Sequence, residues 1–318
     1  MRVTSNSFPI DLRNSLGDLA TKQAELQRQA ASGQRIVNPS DDPRAVRKTL
    51  DLQNELRSLN QYRNNTNKLR EILDAGYTSI SGLKRLSDRA NEVATLADVT
   101  RGAEGLTAYA AEINQLLEQA VTLANTKHHT GYLFGGTKNT AAPISTTRDA
   151  AGRITGVAYN GTSTVAASDV ADGIALSVNF PGENTGAGQS GVLKNGSGAD
   201  FLNHLIALRN HLDTASAGCA AGTTAINDLK ATDAANLQKD ENNFIDLFGR
   251  IGALQSSLDT SKSISQKRAE SIDPLISAET DADLADTLVR LNQIQNAYTA
   301  ALKSGGSILN TSLLDYLR

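Results

Sequence analysis

With 318 residues, a net charge of -3 and 31 basic residues spread along its length, the chain has room for two or three domains and no nucleic-acid footprint. A single cysteine, Cys219, excludes an internal disulfide, and no run approaches the roughly eighteen apolar residues of a membrane-spanning helix. No charged stretch followed by an apolar one opens the chain, so no conventional signal peptide is expected.

Residues 1–9 are polar. Leu12, Leu16, Leu19, Leu26 and Ala30 then recur at steps of three and four, interrupted by a polar Gln23, and predict a helix from Ile10 to Ala31 that ends at Gly33. The segment Asn38-Pro39-Ser40-Asp41-Asp42-Pro43 breaks the pattern, because each proline biases its predecessor away from the α region. Asp42 can cap the next helix, with Pro43 in its first position, where no amide hydrogen is needed. From Val46 through Leu50, Leu59, Leu69, Leu73, Ile80 and Leu83 to Val93 a helical stripe persists, longer than a globular helix and suited to a rod. Arg44 and Arg47 read as its solvated face. After a turn at Gly102 and Gly105, a third helix carries Leu106, Tyr109, Ile113, Leu116, Leu117, Ala120 and Ala124 to about Lys127.

Composition changes after Gly136. Between Asn139 and Gly198 lie 10 of the 25 glycines and few charges, which marks a separate, β-rich insert. Asn160-Gly161 predicts a type I′ hairpin turn within Val157–Thr162, and Ile174–Phe180 alternates like a half-buried strand up to Pro181-Gly182. Helices resume at Asp200 with Phe201, Leu202, Leu205, Leu208 and Leu212, and a long one is expected from Ala225 to Ser271, interrupted by Asp273-Pro274. In the last helix Leu284, Leu288, Leu291, Ile294, Tyr298, Leu302, Leu309 and Leu313 share one side, with Thr280 and Asp283 expected as a capping box. Leaving those eight side chains wet would forgo on the order of 10–20 kcal/mol, so this stripe and the one on the first helix must meet each other or other copies of the chain. The layout is palindromic. The expected fold is mainly α, a long antiparallel helical rod or coiled coil from both chain ends with a small β-rich insert domain at the far end.

Signs of chemistry are weak. Gly186-Ala187-Gly188-Gln189-Ser190-Gly191 has dinucleotide-fold spacing but does not open a helix, and Gly135-Gly136-Thr137-Lys138 has the wrong order for a phosphate loop. His128 and His129, placed near a helix end, would point about 100° apart and share no metal, while His204 and His211 lack a third ligand. No carboxylate stands beside a histidine in a recognisable arrangement, and Asn160 and Asn195 match the glycosylation pattern by chance. No catalytic, cofactor or metal site is expected, and the chain is read as a non-enzyme.

Ser32-Gly33-Gln34-Arg35-Ile36-Val37-Asn38-Pro39-Ser40-Asp41-Asp42-Pro43 closely resembles the N-terminal signature of bacterial flagellins and their relatives, and the closing run through Leu309, Leu313, Leu314, Asp315, Tyr316 and Leu317 resembles their C-terminal one. Tyr132-Leu133-Phe134-Gly135-Gly136-Thr137 and the Leu314–Leu317 ending are similar to the hook-filament junction members of the family. The resemblance implies terminal arms (1–42 with 275–318) that are disordered in the monomer and pair as coiled helices in the polymer, a helical rod (43–138 with 200–274) and an outward insert (139–199). It implies an extracellular structural role at the junction of hook and filament, or alternatively as the filament subunit. Self-assembly, another hook-associated protein on one side, flagellin on the other and an export chaperone on the C-terminal helix are the implied partners, with neither nucleic acid nor membrane. Leu12, Leu16, Leu19, Leu26, Leu284, Leu288, Leu291, Ile294, Tyr298, Leu302, Leu309 and Leu313 are the expected assembly residues, and Asn38, Asp41, Asp42 and Pro43 the cap between arm and rod.

Overall fold

The computed structural model describes residues 7–129, 131–178, 180–186, 190–218 and 220–316, with 7–9, 99, 220–221 and 308–316 described by backbone alone. The chain is mainly helical. Its helices are α1 (Ser7–Ser32), α2 (Pro43–Leu96), α3 (Gly102–Ala124), α4 (Phe201–Ser216), α5 (Ala220–Asp228), α6 (Ala234–Thr280) and α7 (Leu284–Tyr316). Between α3 and α4 lie short strands: β1 (Lys127–His128), β2 (Gly131–Tyr132), β3 (Ile144–Arg148), β4 (Ile154–Tyr159), β5 (Ser168–Ala171), β6 (Ile174–Leu176), β7 (Glu183–Asn184) and β8 (Lys194–Asn195). Contacts divide the chain into one unit of residues 1–60 with 267–318 and another of 61–266, and α2 and α6 contribute to both.

In the 61–266 unit, α2 and α6 run antiparallel, as the pairings Arg70 with Asp259, Asp74 with Gln255 and Tyr77 with Phe248 show. The apolar side of α2 (Leu73, Ile80, Leu83, Val93) shares one core with Ile113 and Leu117 of α3, Leu205, Leu208 and Leu212 of α4, and Leu237, Phe244 and Leu247 of α6. Phe201 meets Phe244 edge to face at 5.4 Å between ring centres. At about 1.5–3 kcal/mol for each large side chain removed from water, this cluster is the main reason the rod region holds together.

The insert joins the same core through Ile144, Ile154, Val170, Val178, Phe180, Val192 and Leu193. Polar clamps reinforce it. The Asn125 side chain bonds the Ile144 backbone in both directions at 3.0 Å, and buried Arg209 on α4 donates to the Ile154 carbonyl at 2.6 Å. Arg148 grips Glu118 of α3 with two bonds, 2.5 and 2.8 Å, and this guanidinium holds the Glu118 carboxyl below its ordinary 4.5. A carboxyl depressed in the folded state contributes stability above its unfolded pKa and loses it as the pH falls through the folded one. Glu118→Gln is therefore expected to lower stability by at most about 1 kcal/mol at neutral pH, the pair being partly exposed, and to match the wild type in strong acid. Denaturant titrations at both pH values measure the difference.

Tyr132–Thr137 is the tie between rod and insert. Phe134 is buried, its carbonyl accepts bonds from Gly182 N–H (2.8 Å) and the Tyr159 hydroxyl (2.9 Å), and Thr137 N–H reaches the Thr164 carbonyl at 3.0 Å. Gly136 has φ 64°, and a Cβ there would stand 2.1 Å from the Thr162 carbonyl oxygen. The glycine pair is thus a steric requirement and not a phosphate cradle. Gly136→Ala is expected to destabilise the fold by about 2 kcal/mol, read as a lower melting temperature and faster proteolysis within the insert.

Several sequence expectations need correction. The hairpin turn is not Asn160-Gly161: β3 pairs with β4 through Asp149–Arg153, where the Asp149 carboxylate accepts the Ala151 and Arg153 N–H groups, while Asn160 N–H bonds the Pro143 carbonyl. The strand from Ile174 ends at Leu176 and pairs with β5 around Asp172-Gly173. The expected Ala225–Ser271 helix begins at Ala220, contains a π turn at Leu229–Asp233, and continues to Thr280 with Pro274 inside it. Proline's fixed φ is itself helical, and the turn it occupies is held by buried Ala269 and Ile272. His128 and His129 lie in β1 and its turn rather than at a helix end. Of the glycine-rich Gly186–Gly191 loop, 187–189 lie outside the described residues.

Two carboxylates do pair with histidines, against expectation. His204 Nδ1 meets Asp240 Oδ2 at 2.7 Å, and His211 Nδ1 meets Asp233 Oδ2 at 2.6 Å. Both carboxylates are buried, and together the pairs bind α4 to α6 and to its π turn. The π turn makes room for this. It admits an extra residue, so that Leu229 and Asp233 are both buried.

Candidate assembly interface

In the unit of residues 1–60 with 267–318, α1 and α7 pack antiparallel. Two points fix their register. Gln34 bridges Asp281 at the loop end, and near the other end Leu12 lies so close to Gly305 that a Cβ there would stand 2.4 Å from Leu12 Cδ2. Apart from Gln29 and Gln295, which are half-buried at the edge, the covered positions of α1 are Leu12, Leu16, Leu19, Gln23, Leu26 and Ala30, and those of α7 are Thr287, Leu291, Ile294, Tyr298, Ala301 and Gly305. Both series step by four and three, which is the seam of a coiled coil. Read between the two fixed points, Leu12 stands opposite Gly305, Leu16 opposite Ala301, Leu26 opposite Leu291, and Gln23 takes a polar place within the seam. At this end of the seam, the small residues Ala301 and Gly305 of α7 thus receive the leucines of α1.

The loop that turns one arm into the next helix is wired through backbone and charge. Gly33, at φ 71°, ends α1 with its N–H on the Gln29 carbonyl (2.9 Å), and its own carbonyl accepts the Ala282 N–H at 2.8 Å. Arg35 N–H donates to the Thr280 carbonyl and its guanidinium to the Glu279 carbonyl, both at 2.7 Å. Asp41 accepts the Val37 and Asn38 N–H groups, and Asp42 caps α2 by accepting those of Arg44 (3.2 Å) and Ala45 (3.1 Å), with Pro43 in the first helical position. These backbone donors, from Asn38 foremost for Asp41 and from Ala45 foremost for Asp42, hold both carboxyls below the usual range. Lys48 with Glu279 (2.5 Å) and Arg268 with Glu55 (2.6 Å) join the flanking stretches of α2 and α6. The expected capping box does not form: Asp283 alone caps α7, accepting Ala285 and Asp286 N–H, while the Thr280 hydroxyl turns back to the Ile276 carbonyl. Threonine there closes α6 and stands three residues ahead of the cap position, Asp283.

The predicted α7 stripe is divided. Leu291, Ile294 and Tyr298 lie in the seam, whereas Leu284, Leu288 and Leu302 are 48, 49 and 47 % exposed. At 100° per residue these three form a strip along one edge of the seam. Leu309 and Leu313 belong to α7, but their side chains lie outside the described ones. Thr287, Ala301 and Gly305 were missed as seam residues because weak hydrophobicity hides a small residue that serves by making room.

Two ends of one chain zipped as a coiled coil, joined to a helical rod that carries a β insert, define the class. Residues 3–139 match the family model of the bacterial flagellin N-terminal helical region. No curated protein matches the chain in sequence. Among solved structures, a flagellar hook-associated protein of Vibrio parahaemolyticus is 18 % identical with a TM-score of 0.63, covering 76 % of this chain and 100 % of that one. FlgL of Xanthomonas campestris is 15 % identical at 0.60, with 71 and 99 % covered. Flagellar hook-associated protein 3 of Legionella pneumophila is 14 % identical at 0.57, with 76 and 98 % covered. The chain therefore shares the fold of these flagellar hook-associated structures, and its residues 3–139 are similar to the flagellin N-terminal helical region.

Proposed function

We propose that this protein is a structural subunit of the bacterial flagellum, placed at the junction of hook and filament and outside the cell. The observation that carries this reading is the leucine strip along the α1–α7 seam. An apolar edge beside a half-covered coiled coil is satisfied when other copies of the same arm complete it, and head-to-tail contacts that do not close into a ring generate a helical polymer. The seam itself is only partly covered within one chain, so assembly completes the burial that holds the paired arms together. The flagellin-type N-terminal region and the likeness in fold to the hook-associated proteins support the setting, and no helix among the described residues is long and apolar enough to cross a membrane.

On this reading the Asn38–Pro43 clasp sets the angle at which the arm leaves the rod, a further hook-associated protein and flagellin are the axial neighbours, and a chaperone covers α7 before export. Cells lacking the protein are expected to keep intact hooks and to release unpolymerised flagellin into the medium. No release of flagellin from such cells, or thousands of copies along each filament, would make the chain the filament subunit instead. A stoichiometric chaperone complex lost on removing residues 280–318 tests the export partner.

A further inference from the structure

We propose that Glu71, His128 and His129 form a site for a divalent transition-metal ion of the zinc type. The site lies in the 61–266 unit, where α2 supplies the carboxylate and the β1–β2 hairpin both imidazoles. One ligand atom from each residue lies within 4.8 Å of the other two. His129 Nε2 stands 3.7 Å from the Glu71 carboxylate, and the two imidazole rings are 4.3 Å apart at 74°. Atoms bound tetrahedrally to one zinc ion stand about 3.3 Å apart. Small rotations of the exposed Glu71 and His129 side chains close that gap. The three groups line a cavity of about 350 Å³ that leaves space for water in the remaining coordination positions.

Adjacent histidines on a helix would diverge, which is why the sequence discourages a shared ion. The hairpin changes that geometry. His129 takes φ 52°, the one non-glycine residue among those described with a left-handed backbone, and this turn sets its ring beside that of His128. A simple ion pair explains Glu71 and His129 but leaves both the second imidazole and the unusual backbone without a role. Two imidazole nitrogens and one carboxylate oxygen suit zinc, nickel, cobalt or copper, and are a poor set for calcium or magnesium. Bound there, an ion tethers the hairpin, and through it the Tyr132–Thr137 tie, to α2.

The test uses the untagged full-length chain carrying Cys219→Ser, so that neither a tag nor the thiol takes up metal. Calorimetric titration with Zn2+ and the visible spectrum of Co2+ should show one saturable equivalent and a zinc-dependent rise in melting temperature. Glu71→Gln, His128→Ala and His129→Asn, the last chosen because asparagine tolerates a left-handed backbone, should each weaken binding at least about tenfold. They should also abolish the zinc-dependent rise while keeping the metal-free melting temperature near the parent's. Absence of saturable binding in the parent, or binding unchanged in all three variants, would overturn the assignment.

Discussion

A chain with Leu284, Leu288 and Leu302 all changed to serine is expected to fold as the wild type does and to fail to join the polymer. The three side chains are about half exposed already, so their loss costs the isolated chain little, within roughly 0.5 kcal/mol per site. Covering the exposed half of each leucine in an assembly contributes about 1 kcal/mol, or about 3 kcal/mol for the strip. That weakens each intersubunit contact by roughly a hundredfold, and a helical lattice repeats the loss at every subunit. Leu291→Ser is the contrasting variant. Leu291 lies in the seam opposite Leu26, and its loss should melt the paired arms before any assembly is attempted. Circular dichroism and melting of the isolated chain, beside sedimentation or electron microscopy of the polymer, separate the two. Normal assembly by the triple variant would remove the strip from the interface.

Much of this architecture is legible in spacing alone. Leu12, Leu16, Leu19, Gln23, Leu26 and Ala30 spell a seam because a helix that packs against one partner repeats its contacts every three or four residues. The partner strand of the seam is half hidden. A scan for large apolar residues finds Leu291, Ile294 and Tyr298 but passes over Thr287, Ala301 and Gly305, and it takes in Leu284, Leu288 and Leu302, which face outward. Turns fail where two signals compete: Asn160-Gly161 has the stronger dipeptide, yet Asp149 wins because its carboxylate ties two backbone donors and puts β3 and β4 in register. Pro274 misleads for a related reason, since one lost ladder bond is a local cost and helix packing is a collective gain. The histidine–aspartate pairs are invisible to spacing, their members standing 36 and 22 residues apart.

Those pairs make the other large prediction: Asp240→Ala is expected to destabilise the 61–266 unit by about 3 kcal/mol, the cost of leaving two buried hydrogen-bond donors unsatisfied and of the cavity left behind. Asp240 has no exposed side-chain surface; one of its oxygens takes His204 Nδ1 and the other the Asp200 N–H at 2.9 Å, just ahead of the first turn of α4. Alanine strands both donors beside a fully buried position and leaves a cavity besides. Asn in place of Asp keeps the shape and the acceptor for Asp200, so Asp240→Asn separates the loss of charge from the loss of packing. Burial pushes the Asp240 carboxyl above its ordinary 3.8, with the bond from His204 opposing it, and Asp233 behaves likewise. A carboxyl raised in the folded state takes up a proton on folding, so its contribution to stability is largest below 3.8 and declines as the pH rises through the raised value. This is opposite in sign to Glu118, whose contribution disappears in acid. Asparagine carries no such titration, so the deficit of Asp240→Asn should be largest in acid and shrink through that window. Denaturant unfolding of the two variants across the acid range measures both statements, and an Asp240→Ala variant as stable as the wild type would show that the pair carries no weight in the bundle.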